Sequence, residues 1–321
     1  MKKLQKFTEP QITSTYAGEF AGQYIAAALL PARTLDNKLI TIHPNVKYKE
    51  VLQKVAVDGI VQDASCDFVT SGSVVLSERI LEPKELQVNL QLCKQEFVDS
   101  WEALQLGYSA FDSIPANFND FLISYVGGKV AEATEQSIWR GTNINGQFLG
   151  FESAFSASIA AGGATAVLAA KSGSIIISGS VTSANVLDKL NSVVNTIPDT
   201  VYGKEDVLLY VSTNVAKAYQ QALAGGAIGA NGWNNQMNVG EKPFNFNGIE
   251  IVLCPGMSAN KIVAAQKSNL FFGTGLLSDH NSVRVLDMAN LDGSQNYRII
   301  MRYTAGVQFG IGQDIVYYGA Y

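Results

Sequence analysis

One segment dominates the sequence: Asn117-Phe-Asn-Asp-Phe-Leu-Ile-Ser-Tyr-Val-Gly-Gly-Lys-Val-Ala-Glu-Ala-Thr-Glu-Gln-Ser-Ile-Trp-Arg140. Phe118, Phe121, Leu122, Tyr125, Val126, Val130, Ala133, Ile138 and Trp139 form an apolar stripe at helical spacing. Pro115 precedes it, and Gly127-Gly128 permits a bend or a close approach. Gly141 stands where a left-handed cap would end the helix. At ~1.5 Å per residue the helix spans about 36 Å, long for a globular domain of this composition.

Upstream of it the pattern is extended. Lys84 to Cys93 alternates, with Leu86, Val88, Leu90 and Leu92 on one face and Gln87, Asn89 and Gln91 on the other, a half-buried strand. A short amphipathic helix follows over about 94–104. Residues 50–82 alternate weakly, with Gly59 and Gly72 as punctuation and Glu50, Asp58, Asp63, Asp67 and Glu78 spread through them. This predicts one or two long hairpins with little core of their own, which need a supporting surface. Leu39 to Ile42 reads as a strand ending at His43-Pro44. Tyr16 to Leu30 reads as a short helix stopped by Pro31, and 1–15 as an irregular arm.

Downstream, Ser156 to Gly179 is rich in Ala, Gly and Ser and reads as a linker, apart from a strand at Ile175–Ile177. Residues 183–197 form an amphipathic helix with Val186, Leu187, Leu190, Val193 and Val194 on one face. Val207–Val211 is a buried strand, and Asn214–Leu223 a helix capped by Ser212 or Thr213. Residues 225–240 are a glycine- and asparagine-rich loop. Strands follow at Ile249–Cys254 and Lys261–Ala265. The block 177–275 alternates helix and strand like a subdomain. The tail is strand: Ser282–Leu286, Tyr297–Tyr303, Gly306–Ile311 and Ile315–Tyr318, with a turn at Asp292-Gly293.

Composition narrows the function. The chain has 321 residues, 47% hydrophobic and 16% charged. The charged share lies below the ~25% of ordinary soluble domains, which excludes a disordered chain and points to a surface covered in part by copies of itself. With 23 basic and 28 acidic residues the formal charge is −5, which argues against a protein whose task is gripping nucleic acid. Cys66, Cys93 and Cys254 form no framework, and read as buried apolar residues in a reducing compartment. Lys2, Lys3 and Lys6 are followed by Thr8-Glu-Pro-Gln11 rather than an apolar run, and Ile25–Leu30 is too short to cross a membrane. A soluble, cytoplasmic protein is expected.

Catalytic patterns are missing. No phosphate loop, nucleophile elbow or HExxH motif is present. Gly273-Thr-Gly275-Leu-Leu-Ser278 is half a dinucleotide fingerprint and reads as a turn. His43 and His280 are the only histidines, and both read as loop residues. Glu132 and Glu135 read as a solvated helix face, and Glu205-Asp206 as a strand's polar approach. Trp101, Trp139 and Trp233 are not interleaved with basic residues, so core or interface packing is expected. The expectation is a non-enzyme, with no catalytic, cofactor-binding or metal-binding residue and no cofactor.

The order of elements resembles the major capsid proteins of tailed bacteriophages, with the α+β Hong Kong 97-type fold. Ala133-Thr-Glu-Gln-Ser-Ile-Trp-Arg-Gly141 with Gly150-Phe151 resembles the end of that family's spine helix and the loop after it. Arg79 to Cys93 resembles the strand returning from its extended loop. Arg302-Tyr-Thr-Ala-Gly-Val-Gln-Phe-Gly310 resembles its terminal peripheral-domain strands. The resemblance implies an N-terminal arm at 1–38 and an extended β-hairpin loop at 39–83. It implies a peripheral domain at 84–175 and 280–321, with the spine helix at 117–140, and an axial domain at 176–279.

It also implies self-assembly through hexamers and pentamers into an icosahedral shell. That shell would be a virion capsid built in the bacterial host cytoplasm, enclosing double-stranded DNA without specific binding and without a membrane. Separate scaffolding, portal and decoration proteins are the implied partners. Two departures matter. The arm starts almost at Met1, so a scaffold is expected as a separate protein or not at all. Lys47, Lys49 and Lys54 are available for the Lys–Asn crosslink some members make, but nothing marks one as reactive. An encapsulin-like nanocompartment shell shares the fold and is the alternative. A phage tail or other structural protein, or an enzyme with a mixed α/β substrate domain, is a more distant one.

Overall fold

The computed structural model describes residues 33–46, 48–58, 61, 63, 73–93, 116–225, 244–275, 284–288, 293–294 and 296–319. The expected arm helix at 16–30, the helix at 94–104, the loop at 226–240, Cys66, Trp101, Trp233 and His280 lie outside them. In chain order the elements are α1 (Arg33–Asp36), β1 (Thr41–His43), β2 (Glu50–Asp58), β3 (Ser73–Leu81), β4 (Lys84–Cys93), α2 (Ala116–Arg140) and α3 (Phe151–Ala161). Then come β5 (Leu168–Ala169), β6 (Lys171–Ser172), β7 (Ile175–Ile176), α4 (Val186–Thr196), β8 (Val207–Val211) and α5 (Thr213–Gly225). The rest are strands: β9 (Phe244–Phe246), β10 (Ile249–Leu253), β11 (Ile262–Gln266), β12 (Leu270–Thr274), β13 (Arg284–Asp287), β14 (Asn296–Phe309) and β15 (Val316–Tyr318).

Strand β14 organises the first sheet. It is one strand of 14 residues, where the sequence predicts two strands breaking near Gly306. The break is absent because β14 has partners along its length. β4 pairs with Asn296–Ala305, β13 with Tyr297–Ile300 and β12 with Ala305–Phe309. Ala305 pairs with both Lys84 and Thr274, so β4 holds one edge while β12 and β13 share the other. Gly306 is glycine for another reason. A Cβ there would lie 2.9 Å from the Glu82 carbonyl oxygen, where the chain crosses between β3 and β4. β1 extends the sheet parallel to β12, and it begins at Thr41 rather than Leu39; Leu39 and Ile40 are buried ahead of it.

The second sheet has the order β5-β15-β11-β8-β10-β9. Period-2 alternation divides its residues between two cores. Leu208, Tyr210, Val263, Ala265 and Tyr317 face a cluster with Trp139, Phe151, Phe155, Leu270 and Phe309. Val207, Leu209, Val211, Ile262, Ala264, Val316 and Tyr318 face α4 and α5, against Leu190, Val193 and Val215. β8 is therefore buried at all five positions, as its unbroken apolar run predicts. On α4, Leu187 departs from the expected apolar face and is 40% exposed.

The second half of helix α3 lies in the Ala-, Gly- and Ser-rich stretch from Ser156, where a linker is one possible reading. Its stripe is sparse: Phe151 and Phe155 are fully buried, and Ile159 packs beside them. Phe155 sits 5.4 Å from Phe309 and 5.7 Å from Tyr317, ring centre to ring centre. Gly141, between α2 and α3, is not a left-handed cap. It is required by close approach: a Cβ there would lie 2.1 Å from the Phe148 carbonyl oxygen, and one on Gly150 would lie 2.5 Å from the Gly141 nitrogen. The Gly150 N–H donates to the Gly141 carbonyl at 2.9 Å, closing the loop so that α3 folds back on α2.

Candidate functional site at the hairpin base

Strands β2 and β3 pair in register from Glu50↔Leu81 to Asp58↔Ser73, and they ladder only with each other among the described residues. The hairpin is fixed at its base. Leu81 is fully buried, and the Gln308 side-chain amide donates to the Ile80 carbonyl at 2.9 Å. Lys49 meets Glu82 at 3.2 Å on the surface, a pair worth little stability in water. On the opposite face of the base, Val51 and Ile80, cross-strand partners, are 47% and 50% exposed.

A cleft of about 560 Å³ opens between the hairpin base and the first sheet. His43 lines it from the end of β1, and its Nδ1 lies 2.9 Å from Glu50 Oε1. His43 is thus a strand-end residue paired to the hairpin, not a loop residue. Arg79 lies with its guanidinium 3.9 Å from the centre of the Phe309 ring, and burial lowers its pKa. Asn269 closes the far end. Its Nδ2 donates to the Ile311 carbonyl at 2.8 Å, and its Oδ1 accepts the Ile311 N–H at 2.7 Å. Lys47 and the Lys54 side chain lie outside the described residues.

The carboxylates read from the sequence separate in space. Glu132 is half-exposed and pairs with Lys129 at 2.9 Å. Glu135 corrects the expectation of a solvated face: it is fully buried. Thr34, just behind the arm, donates to it twice, from N at 3.1 Å and from Oγ1 at 2.6 Å. Trp139 Nε1 donates to Thr34 Oγ1 at 2.9 Å, and Tyr210 donates to the Leu39 carbonyl at 2.6 Å. Burial raises the Glu135 pKa, against the pull of hydrogen bonds from Thr34 and Gly256. Burial, with Glu135 nearby, pushes the Cys254 thiol well up, so it stays protonated and inert.

Asp206 accepts from Gln266 at 2.9 Å and from Ser268 at 2.5 Å, tying β8 to the turn before β12. Gly273 lies inside strand β12, which ends at Thr274, and residues 276–278 of the half-fingerprint lie outside the described residues. Among the described residues no cluster of three or more His, Cys, Asp or Glu could hold a metal, and no helix is long and apolar enough to cross a membrane. The Arg79 cleft and the Thr34–Glu135 clasp have no local signature, because their members lie far apart in the chain.

These two sheets, the hairpin and the long helix make a mixed α/β phage capsid-protein fold. The chain is similar to the solved "Capsid of empty GTA particle computed with C5 symmetry", at 13% identity and TM-score 0.60, over 96% of this chain and 95% of that one. It is similar to a chain of the cyanophage A-1(L) capsid asymmetric unit at 12% identity and TM-score 0.59, covering 92% and 94%. A chain from Gordonia phage Cozz matches over 100% and 99%, at 11% identity and TM-score 0.58. No family model matches the chain, and no curated protein matches it.

Proposed function

We propose that this chain is the major capsid protein of a tailed bacteriophage, a subunit that self-assembles into an icosahedral shell around double-stranded DNA. The observation that carries the reading is a capsid-protein fold spanning nearly the whole of both chains, with a hairpin whose strands ladder only with each other among the described residues. The fold is of the Hong Kong 97 type. Residues 1–38 are the arm, 39–83 the extended loop, 84–175 and 280–321 the peripheral domain around the spine helix 117–140, and 176–279 the axial domain. Hexamers and pentamers form the shell, which is assembled in the host cytoplasm and becomes the virion capsid. The subunit is structural rather than enzymatic, and its −5 charge suits a container that encloses DNA without gripping it.

Negative-stain microscopy with sedimentation of the protein expressed alone, and then with its neighbouring genes, tests this. Closed particles or capsomer-sized rings are expected, and packaged DNA rather than packaged protein identifies the cargo. A chain that stays monomeric in both settings overturns the reading.

A further inference from the structure

The hairpin base carries a cation, Arg79, that no acidic group among the described residues pairs. Cross-strand partners share a face, so Leu52 and Arg79 project together, as do Glu50 and Leu81 two residues away. That face turns toward the end of β14, where Leu81 is buried and Arg79 lies over the Phe309 ring. The ring covers one side of the guanidinium, and a ring face takes up none of its five N–H donors by conventional hydrogen bonds. Among the described residues Arg79 makes no hydrogen bond and no ion pair.

The other polar groups around the cleft are already engaged. Ser268 donates to Asp206, and Gln266 joins Asp206 and Lys204. Asn269 is spent on Ile311. Glu50, the acidic residue that lines the cleft, lies against His43. A half-buried guanidinium stays charged and is costly to leave unpaired. The guanidinium fork matches a planar two-oxygen acceptor.

We propose that this cleft receives an Asp or Glu carboxylate from a second copy of the chain, held by both edges of the Arg79 guanidinium. The occupant follows from charge. The chain carries 28 acidic against 23 basic residues, so its copies offer carboxylates in excess. One arginine beside one glutamate is a poor phosphate track, since nucleic-acid grooves neutralise several phosphates at once. The proposal rests on the shell reading above, in which copies pack side by side.

The test has two arms on the full chain. In the first, wild type, Arg79→Lys and Arg79→Gln are compared by sedimentation across a salt series, with near-ultraviolet circular dichroism to report the fold. Arg79→Gln is expected to raise the subunit concentration needed for assembly roughly tenfold, with Arg79→Lys between, because the two-pronged contact is lost. In the second, a photo-crosslinking residue replaces Leu52, which shares the Arg79 face and lines the cleft, with Arg79 intact, so the result does not depend on how the glutamine variant folds. Crosslinks to an acidic peptide of another copy are expected. Assembly of Arg79→Gln at wild-type concentration and salt tolerance overturns this inference and leaves the shell reading standing. Crosslinks confined to nucleic acid or to the same chain also overturn it. A wild type that never assembles removes the shell reading, and this inference with it.

Discussion

Thr34 and Glu135, 101 positions apart, are joined by two hydrogen bonds, with Thr34 donating its backbone N–H and its hydroxyl to the one carboxylate. The contact ties the chain just behind the arm to the last turns of the long helix. It also meets the second sheet closely: a Cβ on Gly256 would lie 2.2 Å from the Glu135 carbonyl oxygen. Thr34→Val keeps the shape and removes the hydroxyl, leaving Trp139 Nε1 without that acceptor and Glu135 one donor short, with the Thr34 backbone N–H still in place. A loss of about 1–3 kcal/mol is expected by urea denaturation. A change within about 0.5 kcal/mol, the ordinary range for surface positions, would show that the clasp contributes no stability.

Two carboxyls respond to pH in opposite senses. Burial lifts Glu135, so the folded state holds that proton more tightly than the unfolded chain. Its contribution favours folding below its unfolded pKa and declines as pH rises through the folded one. At Asp206 burial pushes upward, but the hydrogen bonds from Gln266 and Ser268 outweigh it and the net shift is downward. Its contribution is present above its unfolded pKa and disappears as pH falls through the folded one. Melting temperature against pH should therefore fall less on the upper side of the acid range in Glu135→Gln, and less at low pH in Asp206→Asn, than in the wild type. Superimposable curves for wild type and both variants would contradict these assignments.

The tight turn between α2 and α3 makes a steric prediction. Gly150→Ala puts a methyl 2.5–2.6 Å from three backbone atoms, none of them the end of a flexible side chain. Overpacking of this kind costs about 1–3 kcal/mol or more. Gly146→Ala, where no atom lies within 4 Å, is the control; its φ of +78° adds only local strain. Thermal melts of the pair should rank Gly150→Ala clearly lower.

Leu81 separates stability from assembly. Leu81→Ala empties a fully buried site where β3 leaves the body, and about 2–5 kcal/mol should be lost. Deleting residues 50–80 instead should leave a foldable subunit, since β2 and β3 ladder only with each other, but should abolish assembly. Shells formed by the deletion variant would refute the role given to the hairpin.

The parts legible in the sequence were those whose signal is local. The helix stripe from Phe118 to Trp139 yields α2 to within a residue, and the alternation from Lys84 to Cys93 yields β4 at both ends. Helix α3 escaped because Ala and Ser fill the positions between Phe151, Phe155 and Ile159; the i, i+4, i+8 spacing was its one available signal. β14 was divided at Gly306 because a glycine demanded by a crossing chain looks, in sequence, like one that ends a strand.

The site was far less legible. Glu135 carries the i, i+3 spacing of an exposed face, and only its contact with Thr34 explains its burial. His43 looked like a loop residue until β12 supplied the strand beside it. Arg79 has no local signature either, because its ring partner Phe309 arrives from the far end of the chain.

The second sheet, loaded on both faces, has a mechanical consequence. Flexing it would loosen the packing of Tyr210 and Leu209 together, though they belong to opposite cores. Such a partition is stiff, because dense interiors resist small deformations and transmit them. In the proposed shell, the same chain must fit five- and six-membered rings of unequal curvature. The adjustment then falls on parts braced from one side only, the hairpin above all, while the body between them is carried as a single tile.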